Sequence, residues 1–269
     1  KSFSDIAKTF GGQKTSEALL AKIYSDPLFM NGEYKKAGII DVTEEQFPTS
    51  IPERIPIFGK FFEASEAAFK NGSLRMRTEL YTLLRNIKVS RGIELTPEQI
   101  KGTGTIVNSL LAKGQLGRTG QNPIVRLLMW APKMLKADID ILTAHSFDDI
   151  PKEDRGTALG NLTKIILATL IITMITKANK KDVELDPRSS DFLKPDGKFG
   201  YLRGIPQIIT LFTRLLTGEY KNSKGEIIEY EPGYGKMSRL DALYSFVRGK
   251  APPATGAVYD YLAGQNFKG

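Results

Sequence analysis

Apolar residues recur every three or four positions along most of the chain, and Gly or Pro residues separate the successive runs. This spacing predicts a series of amphipathic helices. The predicted helices cover residues 4–10, 15–24, 58–69, 73–89, 96–113, 122–142, 154–178, 205–217, 238–247 and 255–262. Turn sequences at 195–198 and 222–225 predict one or two small β-hairpins. We therefore expect an all-α fold, a multi-helix globule that carries one or two small hairpins.

A cluster of prolines interrupts this pattern near the start of the chain. Pro48, Pro52 and Pro56 make the segment that contains them a poor helix and a natural connector. The sequence therefore predicts an N-terminal helical arm, residues 1–47, followed by a main helical domain, residues 48–269.

Local signals mark the ends of several helices inside the main domain. Asn71-Gly72 predicts that one helix ends there and that another begins directly afterwards. Thr96 and Pro97 predict an N-cap and a first helical position, with Gln99 at the capping-box position. Pro132 predicts a kink in the helix 122–142.

The most hydrophobic run is IILATLIITMIT, residues 165–176, which lies between Lys164 and Lys177. A transmembrane helix needs about 20 apolar residues, so this uncharged run is short for a complete span. The pattern predicts a central core helix that is buried on all sides. Contact with a membrane is the alternative.

The chain is basic and lacks cysteine. It has 38 Lys and Arg residues against 30 Asp and Glu residues, a formal net charge of +8 and a pI near 9.4. This excess favours polyanionic partners, namely nucleic acid, an anionic membrane or an acidic protein. The absence of cysteine excludes disulfides, thiolate catalysis, zinc fingers and iron–sulfur clusters. We expect His145, the one histidine, to lie on the surface or at a helix cap.

The sequence lacks the motifs of the common enzyme classes. It contains no P-loop, no dinucleotide-binding fingerprint, no HExxH and no GxSxG. We therefore expect no enzyme activity, no cofactor and no metal site in this sequence. Because it opens at Lys1 rather than at Met, we expect a processed product or a piece of a larger parent chain, which can carry an enzyme elsewhere.

One stretch, residues 70–91, concentrates basic side chains, with Glu79 as its one acidic residue. Such a stretch on a helix is a candidate nucleic-acid or partner surface, and a solvated helix face is the alternative. The candidate nucleic-acid-binding residues are Lys70, Arg75, Arg77, Arg85, Lys88 and Arg91.

Two segments carry motifs that go beyond composition. The first is the heptad DPRSSDF at 186–192, followed by LLTGE at 215–219. The second is FVRGKAPP at 246–253, followed by LAGQNFKG at 262–269. Together they resemble the "large polyvalent protein-associated" domains in the C-terminal regions of very large bacteriophage proteins. The resemblance covers about residues 51–269.

This resemblance implies a protein that is packaged in the virion and delivered to the host cell with the phage genome. It brings no catalytic residues, so it implies a non-catalytic structural or interaction module. The implied partners are other virion proteins or other domains of the parent chain. Two alternatives stay open: a nucleic-acid-binding accessory domain of a virion-packaged polymerase, which would bind DNA, and a membrane-active ejection component.

The side-chain chemistry of the Asp and Arg residues suggests a structural role for these motifs. Short Asp side chains accept hydrogen bonds from the backbone of a turn, and an Arg can form a forked pair with a carboxylate. We expect the heptad to be a structural loop that joins the predicted core helix to helix 205–217, and a ligand site is the alternative. The candidate structural or interaction residues are Asp186, Arg188, Asp191, Phe192, Arg248 and Lys250.

Overall fold

The structure is a computed structural model that describes residues 13–40, 59–116, 132–148, 150–197, 200, 202–232, 237–251 and 261. The described elements, in chain order, are α1 (Gln13–Tyr24), α2 (Pro27–Met30), α3 (Glu33–Lys36), α4 (Gly59–Ser90), α5 (Pro97–Leu110), α6 (Pro132–Leu142), α7 (Lys152–Ala178), α8 (Ile205–Thr217), β1 (Glu219–Lys221), β2 (Ile227–Glu229) and α9 (Arg239–Gly249). Helices predominate, and the strands form one small antiparallel sheet. The predicted all-α class with a small hairpin is confirmed.

The chain forms two compact units, and α7 contributes to both. The first unit comprises Lys1–Leu111 and Phe147–Thr157, and the second comprises Ala112–Ser146 and Ala158–Gly269. The predicted boundary between an arm and a main domain, at residue 47, lies outside the described residues. The described part of the predicted arm, residues 13–40, belongs to the same unit as α4 and α5.

Two tyrosines form the centre of the first unit. Tyr34 in α3 and Tyr81 in α4 are buried, and their rings meet edge to face with centroids 5.7 Å apart. Ala37, Ile39 and Val107 complete the buried cluster. Removal of these apolar side chains from water is the main driving force for folding of this unit.

A buried carboxylate accompanies this cluster. The Tyr81 hydroxyl donates to Glu33 Oε1 at 2.9 Å, and Arg85 Nε donates to the same oxygen at 2.6 Å. Burial is the largest cause that raises the pKa of Tyr81, and its hydrogen bond to Glu33 raises it further. These two hydrogen bonds satisfy the Glu33 carboxylate, whose charge would otherwise be costly to bury.

The helix α4 runs without interruption through Asn71-Gly72, so the predicted stop at this pair is wrong. A glycine ends a helix when it adopts a left-handed conformation. Gly72 instead keeps helical geometry and is buried. The cost of a glycine inside a helix is about 1 kcal/mol, and packing of α4 against α1 and α5 offsets it.

The start of α5 follows its prediction. The Thr96 side chain accepts a hydrogen bond from the backbone N–H of Gln99 at 3.3 Å, and Pro97 occupies the first turn. The Gln99 side chain takes another role, because it accepts from Lys88 Nζ at 2.6 Å and donates to Glu153 Oε2 at 2.9 Å.

Close backbone contact fixes the position of α5 against the loop after α3. A Cβ placed on Gly104 would lie 1.8 Å from the carbonyl oxygen of Ala37. No side chain fits in that space, so a glycine at this position permits the approach. Nearby, the side-chain N–H of Asn108 donates to the carbonyl oxygen of Gly38 at 3.0 Å.

In the second unit, α8 packs against α6, α9 and β1. It has the predicted bounds and ends at Gly218, which has a φ of 74°, a left-handed conformation typical of glycine at a helix end. The helix α9 begins with a reciprocal capping box: the Asp241 N–H donates to Ser238 Oγ, and the Ser238 N–H donates to Asp241 Oδ2.

The hairpin of β1 and β2 matches the predicted turn at 222–225 and pairs Tyr220 with Ile228. Pro195, the first residue of the predicted turn at 195–198, forms an isolated bridge with Val183. The strand predicted to follow that turn depends on Phe199 and Tyr201, which lie outside the described residues. So do the predicted helix 4–10, the first part of 122–142, and 255–262 apart from residue 261.

The sole histidine follows the end of α6 and is buried inside the fold. His145 is buried, has a φ of 58°, and donates its backbone N–H to the Asp140 carbonyl oxygen at 2.7 Å. The expectation was a surface position or a helix cap: the surface position is wrong, and the location at a helix end is correct. The chain reversal after α6 turns this side chain inward.

Candidate interaction surfaces

The second half of α7 presents aliphatic side chains to solvent. The outward face of α7 is defined by six side chains that are each more than half exposed: Ile166, Leu167, Leu170, Ile171, Met174 and Ile175. Within the described residues of the second unit, no helix or strand packs along α7 over more than a few residues. The prediction of a helix is confirmed, but the prediction that it is buried on all sides is wrong.

The opposite side of α7 faces the folded chain and carries hydroxyl groups. Thr169 and Thr173 are buried. Thr169 Oγ1 donates to the Ile165 carbonyl oxygen at 2.7 Å, and Thr176 Oγ1 donates to the Ile172 carbonyl oxygen at 2.7 Å. Such bonds satisfy hydroxyls within the helix itself. The arrangement reverses that of an ordinary surface helix, whose polar side faces water.

By length and composition, α7 is the one helix in the described part of the chain that could cross a membrane. It has 27 residues, roughly 40 Å at 1.5 Å per residue. Its most apolar window has a mean hydropathy of 1.8, and 11% of that window is buried. A core helix of a water-soluble protein would be mostly buried, so the exposure of α7 requires another explanation.

The basic stretch of α4 does not form a continuous exposed surface. Arg77 and Lys88 are buried. Lys88 forms an ion pair with Asp154 in the same unit, and its Nζ also donates to the Gln99 carbonyl oxygen at 3.3 Å. Burial is the largest cause that raises the pKa of Asp154, and the hydrogen bond from Lys88 opposes it.

The remaining cations of that stretch differ in their surroundings. Arg85 pairs with Glu33 at 2.6 Å, and Arg75 pairs with Glu79 at 2.7 Å. Arg91 is exposed, and the Lys70 side chain lies outside the described residues. Intramolecular carboxylates thus already balance much of the charge that the sequence made available for nucleic acid.

The heptad forms a compact loop centred on Arg188. The Arg188 guanidinium donates to both Asp186 oxygens, at 3.0 and 2.9 Å, and to Glu219 Oε2 at 2.5 Å. The hydrogen bond from Arg188 is the largest cause that lowers the pKa of Asp186, and its bond to Asp186 in turn raises the pKa of Arg188. One side chain therefore joins the loop to the first residue of β1.

Backbone groups tie the same loop to α8 and the sheet. Arg214 Nε donates to the Arg188 carbonyl oxygen at 2.7 Å, and the Lys221 N–H donates to that oxygen at 3.2 Å. Ser189 is buried, and its carbonyl oxygen accepts from Thr210 Oγ1 at 3.4 Å. The predicted link to α8 is thus present.

The other heptad candidates lie at the edge of the loop. Asp191 accepts from Lys194 Nζ at 3.2 Å, and its backbone N–H donates to Ser189 Oγ at 3.1 Å. Phe192 is half-buried rather than fully inside a core. The described contacts of the heptad are those of a structural loop.

Lys250 of the closing motif lies near an acid that the sequence did not single out as buried. Asp138 in α6 is 1% exposed, accepts from the Gly204 N–H at 3.2 Å and pairs with Arg203 at 2.8 Å. Burial is the largest cause that raises its pKa, although Arg203 opposes the shift. Lys250 donates to Gln207 Oε1 at 2.5 Å, and burial lowers its pKa. Arg248 is half-buried.

Sequence reasoning found the α7 segment but assigned it to the wrong environment. The Thr side chains every few residues at 169, 173 and 176 were the available signal, since they occupy one side of the helix and leave the other purely aliphatic.

No family model, no curated protein and no solved structure matches this chain.

Proposed function

We propose that this chain is a non-catalytic interaction module that contacts a lipid bilayer through the outward face of α7. The observation that carries the proposal is the six-residue aliphatic face, exposed on a helix whose hydroxyl-bearing side is buried. Full burial of one Leu, Ile or Met side chain is worth about 1.5–3 kcal/mol. Since these side chains are already partly covered, each contributes on the order of 1 kcal/mol on transfer into the acyl region.

The geometry favours a helix that lies along the membrane surface. Because the side with Thr169 and Thr173 is buried in the protein, lipid can reach α7 from one side only. The uncharged run between Lys164 and Lys177 is 12 residues, roughly 18 Å at 1.5 Å per residue. A hydrocarbon core is about 30 Å thick. With α7 in the interface, both lysines can extend their ammonium groups to the headgroups.

The resemblance to phage proteins supplies a setting for this activity. A virion protein delivered to the host with the genome meets the host envelope, which supports the role of a membrane-active ejection component. In this proposal the heptad loop and the buried ion pairs build the scaffold, and other virion proteins or domains of the parent chain bind elsewhere on it. The placement of the α4 cations gives less support to a nucleic-acid-binding role.

Vesicle flotation tests the proposal. The variant Leu170→Gln/Ile171→Gln/Met174→Gln should remain at the bottom of the gradient while the unaltered chain floats. A matched control, Met30→Gln/Leu83→Gln/Val89→Gln, removes three exposed apolar side chains from the first unit and should float. Thermal melting should show all three proteins folded.

Two outcomes would reject membrane contact. One is flotation of the α7 variant equal to that of the unaltered chain. The other is an oligomer in the absence of lipid that the α7 variant abolishes, because the outward face would then be covered by protein.

A further inference from the structure

The end of α7 gathers lysines beside its apolar face. Lys180 has a φ of 59°, its N–H donates to the Lys177 carbonyl oxygen at 2.9 Å, and the Lys181 N–H donates to the Thr176 carbonyl oxygen at 3.3 Å. This reversal keeps the three lysines within about one turn of the helix end, and all three are exposed. We call Lys177, Lys180 and Lys181 the lysine cluster.

Acidic residues are absent along α7 after its first turn. From residue 155 to residue 181 the sequence contains five cations, Arg155, Lys164, Lys177, Lys180 and Lys181, and no Asp or Glu. The acids at the start of α7 already have partners within the first unit: Asp154 pairs with Lys88, and Glu153 accepts from Gln99. Along α7 the aliphatic face is therefore flanked by positive charge, and Asp182 is the first acidic residue after the lysine cluster.

We infer that the surface contacted by α7 is an anionic lipid surface, whose headgroups bind the lysine cluster while the outward face enters the acyl region. This inference rests on the proposed function and names the lipid class that it requires. A lysine held near an anionic membrane strengthens binding by up to about five-fold, so the three lysines together supply up to about 100-fold. Because the cluster is exposed, salt should weaken the effect over a Debye length of about 8 Å at physiological ionic strength.

Vesicles of two compositions separate the contributions. One kind is phosphatidylcholine alone, and the other is an equal mixture of phosphatidylcholine and phosphatidylglycerol. The unaltered chain should bind the anionic vesicles on the order of 10- to 100-fold more tightly. The variant Lys177→Gln/Lys180→Gln/Lys181→Gln should lose most of this preference and retain its binding to neutral vesicles.

A control with the same loss of charge makes the test specific. Lys35, Lys36 and Lys101 are exposed in the first unit, and their replacement by Gln should leave the anionic preference intact. Equal losses in the two variants would overturn the inference in favour of attraction by net charge, and no loss in the cluster variant would overturn it outright. Equal binding of the unaltered chain to both vesicles would reject the anionic preference alone, whereas binding to neither would reject the proposed function too.

Discussion

The guanidinium of Arg188 donates to the carboxylate of Glu219 at 2.5 Å and so joins the heptad loop to the first residue of β1. The same guanidinium is held in a fork by Asp186, two residues earlier. Its carbonyl oxygen accepts from Arg214 in α8. The residue thus connects three segments of the second unit through both its side chain and its backbone, a pattern expected of a structural position.

Replacement of Arg188 tests that role. Arg188→Ala should lower the Tm by a few degrees, because Asp186 and Glu219 lose their shared partner. The Tm of Arg188→Lys should lie between the Tm of the unaltered chain and that of Arg188→Ala, since an ammonium cannot form the forked pair with a carboxylate. Arg91→Ala, at an exposed position, is the matched control and should leave the Tm unchanged. A ligand site would show the opposite result, with an unchanged Tm and a loss of binding.

The ion pair between Arg188 and Asp186 also predicts that stability depends on pH. Its hydrogen bonds hold the pKa of Asp186 below the ordinary value of 3.8. A depressed carboxyl pKa contributes stability that is complete above the ordinary value and is lost as pH falls through the folded-state value. Urea midpoints of the unaltered chain and of Asp186→Asn should therefore differ at neutral pH and converge below about pH 4. A difference that stays constant with pH would contradict this account.

The buried pair of Lys88 and Asp154 predicts a larger effect on stability. Lys88→Met leaves the buried Asp154 without its cation, a change that costs about 3–5 kcal/mol. The double variant Lys88→Met/Asp154→Leu should recover much of that loss, since it removes both charges. Urea unfolding provides the measurement. If Lys88 instead served nucleic-acid binding, Lys88→Met would leave stability unaltered and weaken DNA binding.

Local features of the fold could be predicted, and features that depend on distant partners could not. The N-cap at Thr96 and the bounds of α8 could be predicted because their signals lie within one helical turn of the helix ends. Lys88 was assigned to a solvated or DNA-binding face because Asp154, its partner, lies far along the chain. The aliphatic run of α7 predicted burial, but hydrophobicity does not specify whether protein or another phase covers a side chain.

Gly104 provides a test in which packing opposes helix propensity. Alanine is favoured over glycine by about 1 kcal/mol inside a helix, but a Cβ here would lie 1.8 Å from the Ala37 carbonyl oxygen. Gly104→Ala should therefore destabilise the chain by about 1–3 kcal/mol. Gly156→Ala is the matched control, because a Cβ there meets nothing within 4 Å, and it should stabilise. An increase in Tm for both variants would contradict the close approach.

Two substitutions in α7 distinguish its environments. Ile171 is 57% exposed and Ala158 is 3% exposed on the same helix. Ile171→Asp should change the free energy of unfolding in water by less than about 0.5 kcal/mol, the usual range for surface substitutions. Ala158→Asp should cost several kcal/mol, on the order of a buried unpaired charge. Urea unfolding of both variants without lipid gives the comparison, and vesicle flotation of Ile171→Asp should show lost binding. Strong destabilisation by Ile171→Asp would indicate that this side of α7 is buried in the fold, and it would contradict the membrane contact proposed for that surface.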